Sequence, residues 1–164
     1  MVAVKLNYPI DKIAPDFKLQ GISGHLYALE DLCTTNPLLL VFYLGGKLRP
    51  FCKDQFNDYR DSFAQFEEFK LKIVGISSDH IDKQKEFARD FDYPFDFLSD
   101  PGNKVSKIYN IGSRRVFGGA KRAVYIIGPE KRILYGHIET NWMSRRSSQD
   151  LIAVLSDLKK VGLI

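Results

Sequence analysis

Cysteine is scarce in this 164-residue chain, tryptophan is scarcer, and long apolar runs are missing. Cys33 and Cys52 are the two cysteines and Trp142 is the single tryptophan. Two thiols do not make the dense framework of a small disulfide-stapled domain. There is no Cys-x-x-Cys pair, and His25, His80 and His137 stand too far apart for the paired spacing of a zinc site. No cofactor motif is present: Gly118-Gly119 precedes Lys121-Arg122 without the glycine-lysine spacing of a phosphate loop. No stretch approaches the apolar length of a membrane span, which argues against a membrane protein. Internal repeats, low-complexity tracts and linkers are also absent.

Charge of one sign is not concentrated. The 24 Lys and Arg against 20 Asp and Glu leave a net charge of +4. The basic pairs Arg114-Arg115, Lys121-Arg122 and Arg145-Arg146 are short and separated, unlike the clustered footprint of a nucleic-acid binder. Met1 to Leu6 is too short and too mixed for a targeting segment. The expectation is a reducing, cytoplasmic setting, where an isolated thiol is either buried and inert or reactive.

What is present is a core-forming composition, with 45% hydrophobic residues, twelve Phe and eight Tyr. The length suits one domain, residues 1–164, able to bury roughly 70% of its unfolded surface. Asp16 to Leu19 and His25 to Ala28 read as an N-terminal hairpin, and Leu38 to Tyr43 (LLLVFY) as a strand buried on both faces. From Phe51 the period changes: Phe56, Tyr59, Phe63, Phe66 and Phe69 mark one face of an amphipathic helix. Further strands are expected over Lys72 to Ser77, Phe95 to Leu98, Ala123 to Ile127 and Ile133 to His137. Further helices are expected over Asp82 to Phe91, Asn103 to Tyr109 and Ser147 to Lys160. Alternating strands and helices closed by a hairpin predict an α/β fold, a mixed central sheet with helices on both faces. Its site is expected at the carboxyl edge of the parallel strands.

Cys52 falls at that edge, in the first turn of the helix that follows the LLLVFY strand. Unpaired backbone N–H groups and the helix dipole favour a thiolate there, and Lys47, Arg49 and Lys53 add positive charge. A pKa well below the free value of about 8.5 is the expectation. A buried, inert cysteine is the alternative.

Several segments carry a resemblance in one order: VFYLGGKLRPFCKDQFNDYRD at Val41 to Asp61, KIVGISSD at Lys72 to Asp79, PFDFLSDPGNKVSKIYNI at Pro94 to Ile111 and KRAVYIIGPEKRIL at Lys121 to Leu134. From Ala14-Pro15-Asp16-Phe17 to the last helix the chain resembles the peroxiredoxins of the alkyl hydroperoxide reductase C and thiol-specific antioxidant group. Within it the chain is most similar to the bacterioferritin comigratory protein, or peroxiredoxin Q, branch. The resemblance implies a thioredoxin-like fold and a thiol-dependent peroxidase, with no cofactor and with hydrogen peroxide or an organic hydroperoxide as substrate.

By the same resemblance Cys52 occupies the peroxidatic position and Arg122 that of the distant arginine completing the pocket. The pattern is not fully kept. Arg49 stands where the family has a threonine or serine, and Leu44 or Gly45 where it has a proline. A threonine hydroxyl aligns the bound peroxide, whereas Arg49 can donate a hydrogen bond but accept none. Arg49 is thus a candidate for lowering the thiolate pKa and stabilising the departing oxygen, with part of the orientation lost.

The position where the branch often carries its resolving cysteine holds Asn57. Cys33 and Cys52 flank opposite ends of a strand that spans roughly 20 Å, beyond the roughly 7 Å reach of a disulfide. These observations predict a one-cysteine mechanism with an external thiol reductant, a thioredoxin, glutaredoxin or small thiol, and Cys33 as a buried structural residue, with an intersubunit disulfide as the alternative. A monomer or homodimer is expected. Two other functions stay open: a thiol-disulfide oxidoreductase, and a catalytically impaired redox sensor or binding protein of the same fold. Trp142 is expected as a packed loop anchor.

Overall fold

Lys18–Gly21 (β1) and Leu26–Ala28 (β2) pair antiparallel around a turn in which Gly24 takes a positive φ of 87°. They flank a sheet made with Leu38–Phe42 (β3), Lys72–Ser77 (β4), Asp96–Ser99 (β5), Ala123–Ile127 (β6) and Ile133–Ile138 (β7). The structure, a computed structural model, describes residues 12–45, 49–112, 121–141 and 143–164, and for Arg49 and Pro50 the backbone alone. Lys47, Arg114, Arg115, Gly118, Gly119, Trp142 and the Met1 to Leu6 segment lie outside the described residues.

The strand order is β2-β1-β5-β4-β3-β6-β7. The three central strands β3, β4 and β5 run parallel, and β1 and β6 join them antiparallel. All five residues of β3 are buried, which is why its sequence reads as a continuous apolar run rather than an alternation. The faces nonetheless alternate. Leu39 and Val41 point to one hydrophobic cluster, and Leu38, Leu40 and Phe42 to the other.

The first cluster is covered by Arg49–Asp61 (α2), Phe63–Glu67 (α3), Ile81–Asp90 (α4) and Ser148–Lys160 (α6), through Phe56, Phe66, Phe87, Leu151 and Leu155. The second is covered by Leu29–Leu32 (α1) and Lys104–Ile108 (α5). Helices therefore sit on both faces, as the sequence predicts. α1 carries no signal long enough to be read from periodicity. The single aromatic-striped helix predicted from Phe51 is two helices: the path breaks at Ser62 (φ −100°, ψ 11°), whose hydroxyl donates to Ser148 Oγ at 3.0 Å.

α2 is clamped to the sheet by its aromatic face. Phe56 meets Tyr43 at 5.0 Å and Phe97 at 4.9 Å between ring centroids, in the edge-on geometry that favours such pairs. Gly75 of β4 makes room for this, since a Cβ there would collide with the Phe97 ring and press on Phe56. At the far end of the packing, the N-terminus of α6 is fixed to α2. Ser148 donates from its backbone N and its hydroxyl to the two Asp58 carboxylate oxygens, at 2.6 and 2.7 Å.

The register brings three chain ends to one edge. Phe42 pairs with Ile76 in parallel and with Ala123 in antiparallel. The carboxyl ends of β3 and β4 and the amino end of β6 thus converge, with Cys52, Asp79 and Arg122 just beyond them.

Candidate active site

Cys52 lies in the first turn of α2, as the sequence predicts, and its sulfur is wholly shielded at 0% exposure. The thiol donates to the main-chain carbonyl of Leu44 at 3.1 Å, which ties the helix start back to the end of β3. Gly45 follows, where a Cβ would run into the Asp79 carboxylate. Its lack of a side chain lets the loop after β4 close against the loop after β3.

Arg122 is buried at 2% exposure, immediately before β6. A guanidinium that has left water needs acceptors around it. One is Gln55, whose Oε1 accepts from Arg122 Nη2 at 2.5 Å. The Arg122 backbone is held as well: its carbonyl accepts from Glu139 N at 2.9 Å, and the neighbouring Lys121 N donates to Ile111 O at 2.7 Å. Cys52 and Arg122, far apart in sequence, are thereby brought to one site.

The electrostatics correct one expectation. Burial pushes the Cys52 thiol up, from an ordinary 9.0 to about 11. The Arg122 guanidinium pulls the other way, and the Asp79 carboxylate adds to the rise. The magnitudes explain the order. A helix terminus contributes at most about 2 kcal/mol in a favourable, partly buried setting. A rise of this size corresponds to about 3 kcal/mol. Of the cations that the sequence placed around Cys52, Lys53 turns elsewhere, with its ammonium 5.3 Å from the Phe91 ring centroid. Arg49 opens α2, but its side chain is not among the described residues, and Lys47 is outside them altogether.

Gln55 is the residue that reading the sequence missed. It is 2% exposed, one turn beyond Cys52, and its Nε2 donates to Tyr59 Oη at 2.8 Å. Tyr59 in turn donates to the Arg146 carbonyl at 2.8 Å. The Arg146 side chain continues the polar chain from Nη2 to His137 Nδ1 at 2.9 Å, and His137 Nε2 reaches Glu139 Oε2 at 3.3 Å. The signal that could have found Gln55 is helical spacing: three residues from Cys52, it shares that thiol's face.

Cys33 and Cys52 are both free and both buried. Cys33 donates to Leu29 O at 3.2 Å among the residues of the opposite core cluster, where burial raises its pKa. Asn57 accepts from the Tyr93 hydroxyl at 2.9 Å.

The chain is similar to known proteins in sequence and in fold. Peroxiredoxin Bcp of Bacillus subtilis is 27% identical over 162 residues, covering 96% of this chain and 99% of its own. Chloroplastic peroxiredoxin Q of Oryza sativa subsp. japonica is 34% identical over 98 residues, 60% of this chain and 44% of its own. The chain thus spans about half the length of the chloroplastic relatives it matches. Among solved structures, peroxidoxin BcpB from Mycobacterium tuberculosis superposes with a TM-score of 0.77 at 25% identity, covering 93% of this chain and 97% of that one. The fold alone is shared with PrxQ of Xylella fastidiosa, at a TM-score of 0.76 and 20% identity, over 94% and 98% of the two chains. That fold is the thioredoxin-like arrangement that the resemblance implies, and residues 10–135 match the AhpC/TSA family, to which this chain belongs.

Proposed function

We propose that the chain is a thiol-dependent peroxidase in which Cys52 attacks the peroxide and Arg122 stabilises the charge that develops. The observation that carries this reading is a nucleophile in the first turn of α2 whose foremost stabilising charge is a buried, tethered guanidinium. In the reaction a sulfur–oxygen bond forms as the O–O bond breaks. Cys52 is oxidised from thiolate to sulfenic acid, and the peroxide is reduced by two electrons. The leaving hydroxide or alkoxide takes a proton and departs as water or an alcohol. Preorganised N–H donors of Arg122 match the charge on that leaving oxygen. Arg49 is assigned a supporting role, as a second donor toward the peroxide in place of the family's threonine.

The shielded thiol sets a condition on this chemistry. Attack needs an opening that brings Cys52 into contact with water and peroxide. The same opening removes much of the desolvation that holds its pKa near 11.

Reduction of the sulfenic acid follows a one-cysteine route. An external thiol condenses with it to a mixed disulfide and water, and a second thiol releases Cys52. Support comes from Cys33 lying in the opposite core cluster and Asn57 being bonded to Tyr93. The reductant is a thioredoxin, a glutaredoxin or a small thiol, in a reducing compartment such as the cytoplasm. The residues form one peroxiredoxin domain that acts as a monomer or homodimer.

The burial of Cys52 favours a second reading, a slow sensor rather than a fast scavenger. Peroxide consumption with dithiothreitol as reductant separates the two, alongside Cys52→Ser and an insulin-reduction assay. Cys52-dependent turnover supports the peroxidase. Oxidation of Cys52 without turnover supports the sensor, and insulin reduction without peroxide loss points to a thiol-disulfide oxidoreductase.

A further inference from the structure

The amide of Gln55 has two ends that differ in kind, and only one of them suits Arg122. A guanidinium carries donors only, so the amide oxygen must face it. Turned over, the Gln55 NH2 group would meet the Arg122 N–H groups, donor against donor, in a site closed to water. Nothing in Gln55 itself chooses between the two orientations.

The choice is made by Tyr59, four residues on. The Arg146 main-chain carbonyl can only accept, so the Tyr59 O–H must donate to it, over 2.8 Å. The phenol oxygen is then free to accept, and it takes the Gln55 Nε2 proton at 2.8 Å. The amide nitrogen is fixed at Tyr59 and the amide oxygen at Arg122. Tyr59 is fully buried, and that burial raises the pKa of its hydroxyl, so it stays a donor across the ordinary pH range. Arg146 is placed by a separate set of contacts: it sits just ahead of the Ser147 cap of α6, whose next residue is bonded to Asp58.

We infer that Tyr59 is a positioning residue: with the Arg146 carbonyl as its fixed reference, it orients the Gln55 amide and so aims the Arg122 guanidinium at Cys52. Tyr59 touches neither the thiol nor the substrate in this role. The inference rests on the peroxidase reading for its effect on rate, while its effect on the thiol does not.

The symmetric carboxylate supplies the test. Glutamate in place of Gln55 presents an oxygen to Arg122 in either orientation and needs no orienter. Tyr59→Phe is therefore compared in two backgrounds, the natural chain and Gln55→Glu, all carrying Cys33→Ser so that one thiol titrates. The readouts are the Cys52 pKa from thiolate absorbance and the second-order rate with hydrogen peroxide. In the natural background Tyr59→Phe is expected to raise the Cys52 pKa and slow the reaction roughly tenfold, the scale of weakening one hydrogen bond to a charged group. In the Gln55→Glu background the carboxylate has no proton to give the Tyr59 oxygen, and the same change is expected to bring no loss in either readout.

Equal losses in both backgrounds would assign Tyr59 a merely structural role and overturn the inference. So would the absence of any effect in the natural chain. If the natural chain turns over no peroxide, the peroxidase reading fails, and the background-dependent pKa shift still decides the role of Tyr59. If Tyr59→Phe does not fold, the amide orientation is read in the natural chain by nuclear Overhauser contacts. The Gln55 amide protons are expected near the Tyr59 ring, and finding them at Arg122 instead contradicts the proposal.

Discussion

Arg122 Nη2 donates to Gln55 Oε1 at 2.5 Å, a bond between the residue ahead of β6 and the second turn of α2, both removed from water. It joins the two halves of the site across the register that sets Phe42 beside Ala123. The guanidinium is the largest influence lowering the Cys52 pKa.

Replacing Arg122 by Met is therefore expected to raise the Cys52 pKa further and to lower the rate with peroxide by roughly a hundredfold, the usual scale for loss of one preorganised donor. Arg122→Lys keeps a charge without the fork and is expected to fall between. Stopped-flow kinetics and thiolate absorbance check both.

Alkaline stability follows from the same thiol. Its folded pKa lies above its unfolded value, so the folded state holds its proton longer. The stabilisation is fully present below pH 9 and is lost as the pH rises toward 11, in total about 3 kcal/mol. Denaturant unfolding of the natural chain and of Cys52→Ser, compared at pH 8 and near pH 11, is expected to show the natural chain losing more stability over that window.

How much of this was legible in the sequence varies with how local the cause is. β4 and β6 were readable to the residue, because four- to six-residue apolar runs bounded by turn signals leave little choice. Cys52 at a helix start was readable from the change of period at Phe51. Its pKa was not. The sequence displays Lys47, Arg49 and Lys53 beside Cys52, whereas the dominant influence is burial, created by partners such as Leu44 and the Phe56 face that only the fold assembles. Gln55 was hidden for the same reason: its value lies in Arg122, 67 residues away. Ser62, at the break between α2 and α3, bonds to Ser148, likewise remote.

The α6 tie gives a stability test separate from the chemistry. Asp58 accepts two hydrogen bonds from Ser148, so Asp58→Ala leaves both donors without that carboxylate. A loss of about 1–2 kcal/mol is expected in denaturant unfolding, the range for a lost cap or buried hydrogen bond. Because this site also places Arg146, a smaller secondary loss of peroxide rate is expected to accompany it.

Cys33→Ser bears on the reductant. The serine hydroxyl can donate to Leu29 O as the thiol does. Peroxide turnover with an external thiol is expected to persist unchanged, and non-reducing electrophoresis after stoichiometric peroxide is expected to show no covalent dimer. A dimer abolished by Cys33→Ser would refute the one-cysteine route.

The most direct measurement is the chemical fate of Cys52 itself. The reduced chain is treated with one equivalent of hydrogen peroxide in the presence of dimedone, which captures sulfenic acids, and the adduct is located by peptide mass spectrometry. An adduct is expected on Cys52 and none on Cys33, with peroxide loss that disappears in Cys52→Ser. Peroxide loss that survives Cys52→Ser, or an adduct found on Cys33 alone, would contradict it.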